Sequence, residues 1–138
     1  MSATFTEARA DLSGFMRAEW ITAGQTADNI YFENNDSDKQ LLYSICTVRF
    51  ADRDRAALGQ HLFRTRGVLY LQMFIRRDTG TEQVDLLGDA LVTALEVQGS
   101  INGIRLRDVS YLPIGLDSED QAYFQAQVRA NFEFDVTR

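Results

Sequence analysis

From Phe124 to Val136 the chain alternates without a break. Phe124, Ala126, Val128, Ala130, Phe132, Phe134 and Val136 occupy one parity, and Tyr123, Gln125, Gln127, Arg129, Asn131, Glu133 and Asp135 the other. Successive side chains of a strand point to opposite faces, so this pattern sets an apolar face against a polar one. The run is well beyond the usual ~5–6 residues of a strand. It predicts a strand half-buried in an antiparallel sheet, with a free edge for a neighbour.

The remaining elements follow from spacing. Thr4-x-x-Glu7 fits a capping box, and Phe5, Ala8, Leu12, Phe15 and Met16 recur at helical intervals, which predicts a helix over Thr6–Trp20. From Gly24 to Gln40 the chain is polar, rich in Asn and Asp, and reads as a long mobile loop broken by a short strand at Ile30-Tyr31-Phe32. Tyr43–Ala51 alternates as a strand, with Cys46, Val48 and Phe50 on one face, and Asp52-Arg53-Asp54-Arg55 reads as a charged turn. Val68–Arg77, which can begin as early as Leu62, is apolar on both parities and so predicts a central strand covered on both sides.

Thr79-x-x-Glu82 repeats the capping signature. Val84, Leu87, Leu91, Ala94 and Leu95 then trace a helical stripe to Val97, with Gly88 as a weak point worth about 1 kcal/mol. Ile104–Leu112 reads as a strand ended by Pro113 and Gly115, followed by an acidic connection over Leu116–Gln121. The expected fold is a single α+β domain spanning 1–138. Its mainly antiparallel sheet has about 4–5 strands with two main helices on one face, in the order α-β-β-β-α-β-β.

The 138 residues carry 14 basic and 20 acidic side chains, a net charge of −6. That argues against a protein that binds nucleic acid by neutralising phosphates. Lys39 is the only lysine; arginine suits interfaces, although genomic codon bias produces the same ratio. Cys46 is the only cysteine, so neither an intrachain disulfide nor a Cys-rich zinc site is expected. No apolar run reaches the roughly 18–20 residues of a membrane span, and the first residues do not read as a secretory signal, so a soluble protein that starts in a cytoplasm is expected.

Chemistry is sparse. His61 has no second histidine and no assignable partner, and Cys46 lies within a strand, away from the cations or helix N-terminus that activate a thiol. Asn34-x-Asp36-x-Asp38 begins like a calcium loop but has Lys39 where glycine is needed and Ile45 where glutamate is needed. Asp117, Glu119 and Asp120 sit in a polar loop with no cause for a raised pKa. No catalytic site, metal or cofactor is expected.

The run Arg66-Gly67-Val68-Leu69-Tyr70-Leu71-Gln72-Met73-Phe74, the Thr79-capped helix, the strand Ile104-Arg105-Leu106 and the closing strand Val128–Asp135 follow one another in a familiar order. Over residues 60–136 this order resembles the phage tail terminator and related minor tail proteins of long, non-contractile-tailed phages, the lambda terminator type. The resemblance implies a homo-oligomeric ring, a hexamer, whose subunits are monomeric when free. It implies the major tail tube protein and a head completion or connector protein as partners. DNA would pass through the lumen without specific binding. It also implies a location in the virion tail, after assembly in a host bacterial cytoplasm, and no membrane partner.

Within that picture Arg64, Arg66, Arg105 and Arg107 are interface candidates on strand edges, facing acidic loops of a neighbour such as Asp36 and Asp38. Reversing Arg105 and Arg107 is then expected to spare the fold. Two alternatives stand beside this reading: another head–tail joining or tail-completion protein, and a small-molecule-binding α+β domain lined by Tyr31, Tyr70, Phe74 and Tyr111.

Overall fold

The computed structural model describes residues 4–32, 41–55, 62–77, 80–116 and 122–137. Helix α1 (Phe5–Thr22) leads through a 3-10 turn at Ala27–Asn29 into β1 (Ile30–Phe32), β2 (Leu42–Arg55) and β3 (Leu62–Arg76). Helix α2 (Glu82–Gln98) is followed by β4 (Ser100–Ile101), β5 (Ile104–Leu116) and β6 (Tyr123–Thr137). The strands form one six-stranded sheet in the order β1-β2-β3-β6-β5-β4. Every neighbouring pair is antiparallel except β1–β2.

Both helices lie on one face of the sheet. The stripe Ala8, Leu12, Met16 and Trp20 of α1, and Val84, Leu87, Leu91 and Leu95 of α2, share a core with Cys46, Val48, Leu69, Leu71, Met73 and the even-numbered residues of β6. The α+β class with helices on one face is therefore as expected, and the sheet has one strand more than the 4–5 foreseen.

The helix ends show how local chemistry sets boundaries. Thr4 Oγ1 accepts from the Glu7 N–H at 3.1 Å, while the Thr4 hydroxyl donates to Glu7 Oε1. α1 stops where Gln25 N–H donates to the Trp20 carbonyl and Gly24 N–H to Ile21, with Gly24 at φ +102°. That is the left-handed exit a glycine allows. The second helix begins at Glu82, with Thr81 as its N-cap and no side-chain cap. The anticipated start at Thr79 lies outside the described residues.

Four expectations are corrected. The closing strand β6 is not an edge, because β3 and β5 bond to its two sides. β3 is central but has a helical layer on one face only. Its other parity, Val68, Tyr70 and Gln72, is half-buried, and its apolar character serves a separate cluster of Tyr43, Phe74 and Tyr123. Asp52 to Arg55 is not a turn but the far end of β2, past a bulge between Phe50 and Asp52. Pro113 and Gly115 do not end β5: the strand continues through a bulge between them, one of the places where a sheet tolerates proline.

The segment 24–40, expected to be mobile, is described only in part. Its residues 33–40 are outside the described part, but Asn29 is buried. Asn29 Oδ1 accepts from the Trp20 indole N–H at 2.7 Å, and its amide donates to Gln25 Oε1 and the Leu42 carbonyl.

Two glycines are packing requirements. Gly67 pairs with Phe50 on one side and Phe132 on the other, and those rings meet edge-to-face at 5.9 Å. A Cβ on Gly67 would overlap the Arg49 carbonyl oxygen and the Phe132 ring. Gly88, which looked like a weak point of α2, is where the Tyr111 ring rests on the helix; a Cβ there would strike that ring. Gly67→Ala is expected to cost about 1–3 kcal/mol through overpacking. Gly14→Ala, in an α1 position with open space around it, is expected to gain about 0.5–1 kcal/mol. Urea unfolding of the two variants checks the pair, and equal midpoints would refute the packing account.

Candidate interaction surface

Three short spacings acquire meaning once the strands are aligned. Arg64 and Arg66 on β3, Arg105 and Arg107 on β5, and Glu133 and Asp135 on β6 are each separated by two residues, so each pair shares a face. The register sets Arg64 opposite Asp135, Arg66 opposite Glu133, and Glu133 opposite Arg105. The acidic strand thus lies between the two basic ones, on the side of the sheet away from the helices.

The contacts are short and interlocked. Arg64 donates through Nε to Asp135 Oδ1 at 2.9 Å and through Nη2 to Oδ2 at 3.3 Å. Arg105 Nε donates to Glu133 Oε1 at 3.1 Å, and its Nη2 lies 3.5 Å from both Asp135 oxygens. Arg107 Nη2 reaches Glu133 Oε1 at 2.6 Å. Arg66 pairs with Asp52 Oδ1 at 3.2 Å and stands 3.8 Å from Glu133 Oε2. Bidentate and shared guanidinium forks of this kind are what arginine supplies and lysine does not.

Glu133 is the centre, with its side chain only 9 % exposed. Burial pushes its carboxyl up, but the hydrogen bond from Arg105 and the charges of Arg107, Arg105 and Arg64 outweigh that and hold it below its ordinary value. Asp135 is also lowered, chiefly by its hydrogen bond to Arg64, against a smaller opposing effect of burial. Both carboxylates stay ionised at neutral pH, and the lattice is a fixed patch of alternating charge.

The four arginines proposed as contacts are therefore brought together, but as partners of this chain's own carboxylates. Arg64 and Arg66 lie on a central strand and not on an edge, because β6 occupies the side that the sequence reading left open. Asp36 and Asp38 lie outside the described residues, as do His61, Asp117, Glu119 and Asp120. The sequence reading overlooked Glu133 and Asp135. The signal was present in the repeated two-residue spacing of like charges, but without the strand order it had no partner.

At the opposite end of the same face, Tyr43 stacks on Phe74 at 4.8 Å and meets Tyr123 and Tyr31 edge-on. Tyr111 is not part of this group. It lies against α2 and donates its hydroxyl to Asp85 Oδ1 at 2.6 Å, so the four aromatics named for a small-molecule pocket do not line one. Cys46 is in the core, where burial pushes its thiol up to about 12 and keeps it protonated. Thr65 is buried in the core with no partner for its hydroxyl. Among the described residues no helix is long and apolar enough to cross a membrane.

No family model matches the chain, and no curated protein matches it. Solved structures do share its fold. A chain of the virion of a native gene transfer agent particle superposes with a TM-score of 0.60 at 11 % identity, covering 96 % of this chain and 100 % of that one. Another solved chain, described without a function, superposes with a TM-score of 0.64 at 17 % identity, covering 91 % of this chain and 92 % of the other. The α+β arrangement described above is therefore a whole-chain fold found in a virion component.

The lattice motivates a different expectation for Arg105 and Arg107, that changing both affects the fold. Replacing both with Ala strips the buried Glu133 of its closest donors and is expected to cost about 1–3 kcal/mol in denaturant unfolding. An unchanged midpoint would show that the lattice does not stabilise the chain. The lowered carboxyls also set a pH dependence. Their contribution is fully present above their ordinary values of 4.5 and 3.8 and is lost as pH falls through the lower folded-state values. Glu133→Gln should therefore flatten the acid side of the stability–pH curve, read by urea midpoints at a series of acidic pH values.

Proposed function

We propose that this chain is a structural protein of a phage-like particle and, more specifically, a tail terminator subunit. The carrying observation is the end-to-end likeness of its fold to a chain of a gene transfer agent virion, with all of that chain covered. The resemblance of residues 60–136 to the lambda terminator type points the same way. In this reading copies of the chain form a ring of about six on the end of the tail tube. One face of the ring meets the major tail protein, and the other offers a seat to the head completion protein. The work is done by surfaces, and no catalytic step is involved.

Physical features suit that role. A ring subunit needs long stiff elements that keep their shape under load, and strands of 13–15 residues, β3 and β6 paired without a break, supply them. It also needs surface left uncovered by its own fold, and the sheet has a helix-free face. A surplus of acid, −6 overall, suits a passage that DNA must cross without sticking. The small-molecule alternative is disfavoured by the separation of Tyr111 from Tyr31, Tyr70 and Phe74.

Removing the gene from cells that make the particle tests the role. A terminator is expected to leave tubes of irregular, excessive length and unattached heads in electron micrographs. Tails of normal length that fail to join heads would favour the head–tail joining alternative, and normal particles would overturn both.

A further inference from the structure

The two edges of the sheet are each only partly covered, and what they leave open differs in kind. β4 pairs with β5 at Ile104 and Arg105, and Leu106 N–H donates to the Gly99 carbonyl, so among the described residues the strand from Arg107 to Leu116 has no strand neighbour on its outer side. Leu112, Ile114 and Leu116 are 58 %, 47 % and 50 % exposed there. Edge strands are normally protected by charge, proline, a bulge or a cover; this arm carries Pro113 and a bulge but no charge from Val109 to Leu116. The helix beside it is acidic: α2, packed over β5, contains no lysine or arginine and exposes Asp85 and Asp89, whereas Asp108 on the strand's first bulge is balanced by Arg107 and by Arg129 opposite Ser110.

On the other edge β1 pairs with β2 only at Ser44–Cys46, which leaves the outer side of β2 from Thr47 onward without a strand neighbour among the described residues. Arg9 Nη1 donates to the Val48 carbonyl, so α1 overhangs this stretch. Between them runs a groove of about 390 Å³, lined by Phe5, Thr6, Arg9, Ala10, Ser13 and Phe50. Phe5 is 41 % exposed, and Arg49 and Arg53 are exposed along the strand.

We propose that these edges are the two halves of one contact: the apolar arm of β5 docks along the open edge of β2, and into the Phe5–Phe50 groove, of a second copy of this chain. The inference rests on the ring reading above and names the surfaces that would build it. Charge supports the pairing, since α2 beside the arm exposes Asp85 and Asp89 and holds no base, while Arg9 and Arg53 stand over the Phe50 and Phe5 rings of the groove. Strand direction supports it as well. From β2 through β3 and β6 to β5 every step is antiparallel, so β5 runs opposite to β2, and the next copy's β2 continues the alternation.

The covered stretches decide the offset. β1 occupies β2 at the level where β5 carries Leu112, as the register Leu112–Gln127–Gln72–Ile45 shows, so the arm reaches open β2 only by sliding along it. Such a stagger is what a sheet needs in order to close on itself. Because arm and groove are different surfaces, each copy keeps one of each to offer, and the contact repeats head to tail until it closes.

The test uses the full chain carrying both Ala10→Cys and Ile114→Cys, with a short bis-maleimide as linker. Cys46 is buried and does not compete. At high concentration, or on isolated tail tubes, the double variant is expected to give a ladder of dimers, trimers and larger species. Neither single variant should give one. Dimers from a single variant would reveal a self-complementary contact and overturn the proposal. Oligomers in light scattering without a ladder would overturn this contact while leaving the ring reading in place. A mass fixed at the monomer, even with tubes present, would overturn both. A second variant, Leu112→Glu with Ile114→Glu, should keep the melting temperature and weaken association by at least about tenfold; unweakened association would also overturn the proposal.

Discussion

The pairing of β3 with β6 is the interaction on which the rest of the structure depends. It runs from Leu62 opposite Thr137 to Arg76 opposite Tyr123 without a bulge, whereas the β2–β3 and β5–β6 pairs each slip at least once. Because the register is unbroken, every residue of one strand has a set neighbour on the other. On the helix side that alignment brings Leu69, Leu71 and Met73 beside Ala130, Val128 and Ala126, the floor on which both helices rest. On the other side it sets Arg64 against Asp135 and Arg66 against Glu133. A slip of one residue would turn both faces over at once, so core and charge lattice stand or fall together.

Gly67 shows how tightly that centre is constrained. It lies between β2 and β6 at the level where the sheet begins to carry charge on one side and the rings of Phe5, Phe50, Phe132 and Phe134 on the other. Removing the Cβ lets the Arg49 carbonyl and the Phe132 ring close over the backbone. The same economy appears at Gly88, where the absent side chain admits the Tyr111 ring and lets β5 sit directly against α2. In both places glycine weakens the element's own propensity and is kept because a neighbour fills the space.

Leaving one sheet face without helices has a consequence for how the charges are arranged. On that face Arg64, Arg66, Arg105 and Arg107 are paired with Asp52, Glu133 and Asp135, and Arg49 and Arg129 stand exposed beside this lattice. The edges differ from it: one offers an apolar arm beside the acidic helix α2, the other a groove under Phe5 and Phe50 with Arg9 in its lining. Directional assembly requires two unlike surfaces of this sort.

Much of the fold was legible in the residues. The alternation of β6, the four-residue stripe of α1, the stripe of α2 and the Thr4 cap are local patterns, and a local pattern states which side of an element meets apolar neighbours. They set the α+β class, both helices and the long strands, with ends wrong by a few residues where Asp52–Arg55 and Pro113 looked like stops. Tertiary structure alone decided which strands lie side by side. It placed β6 inside the sheet instead of at its edge, turned interface arginines into partners of Glu133 and Asp135, buried Asn29 under Trp20, and chose which stretches of β2 and β5 stay open. The physical reason is that periodicity is a property of one segment, whereas register and edge are properties of pairs, settled by hydrogen bonds between residues up to ~70 positions apart in the chain.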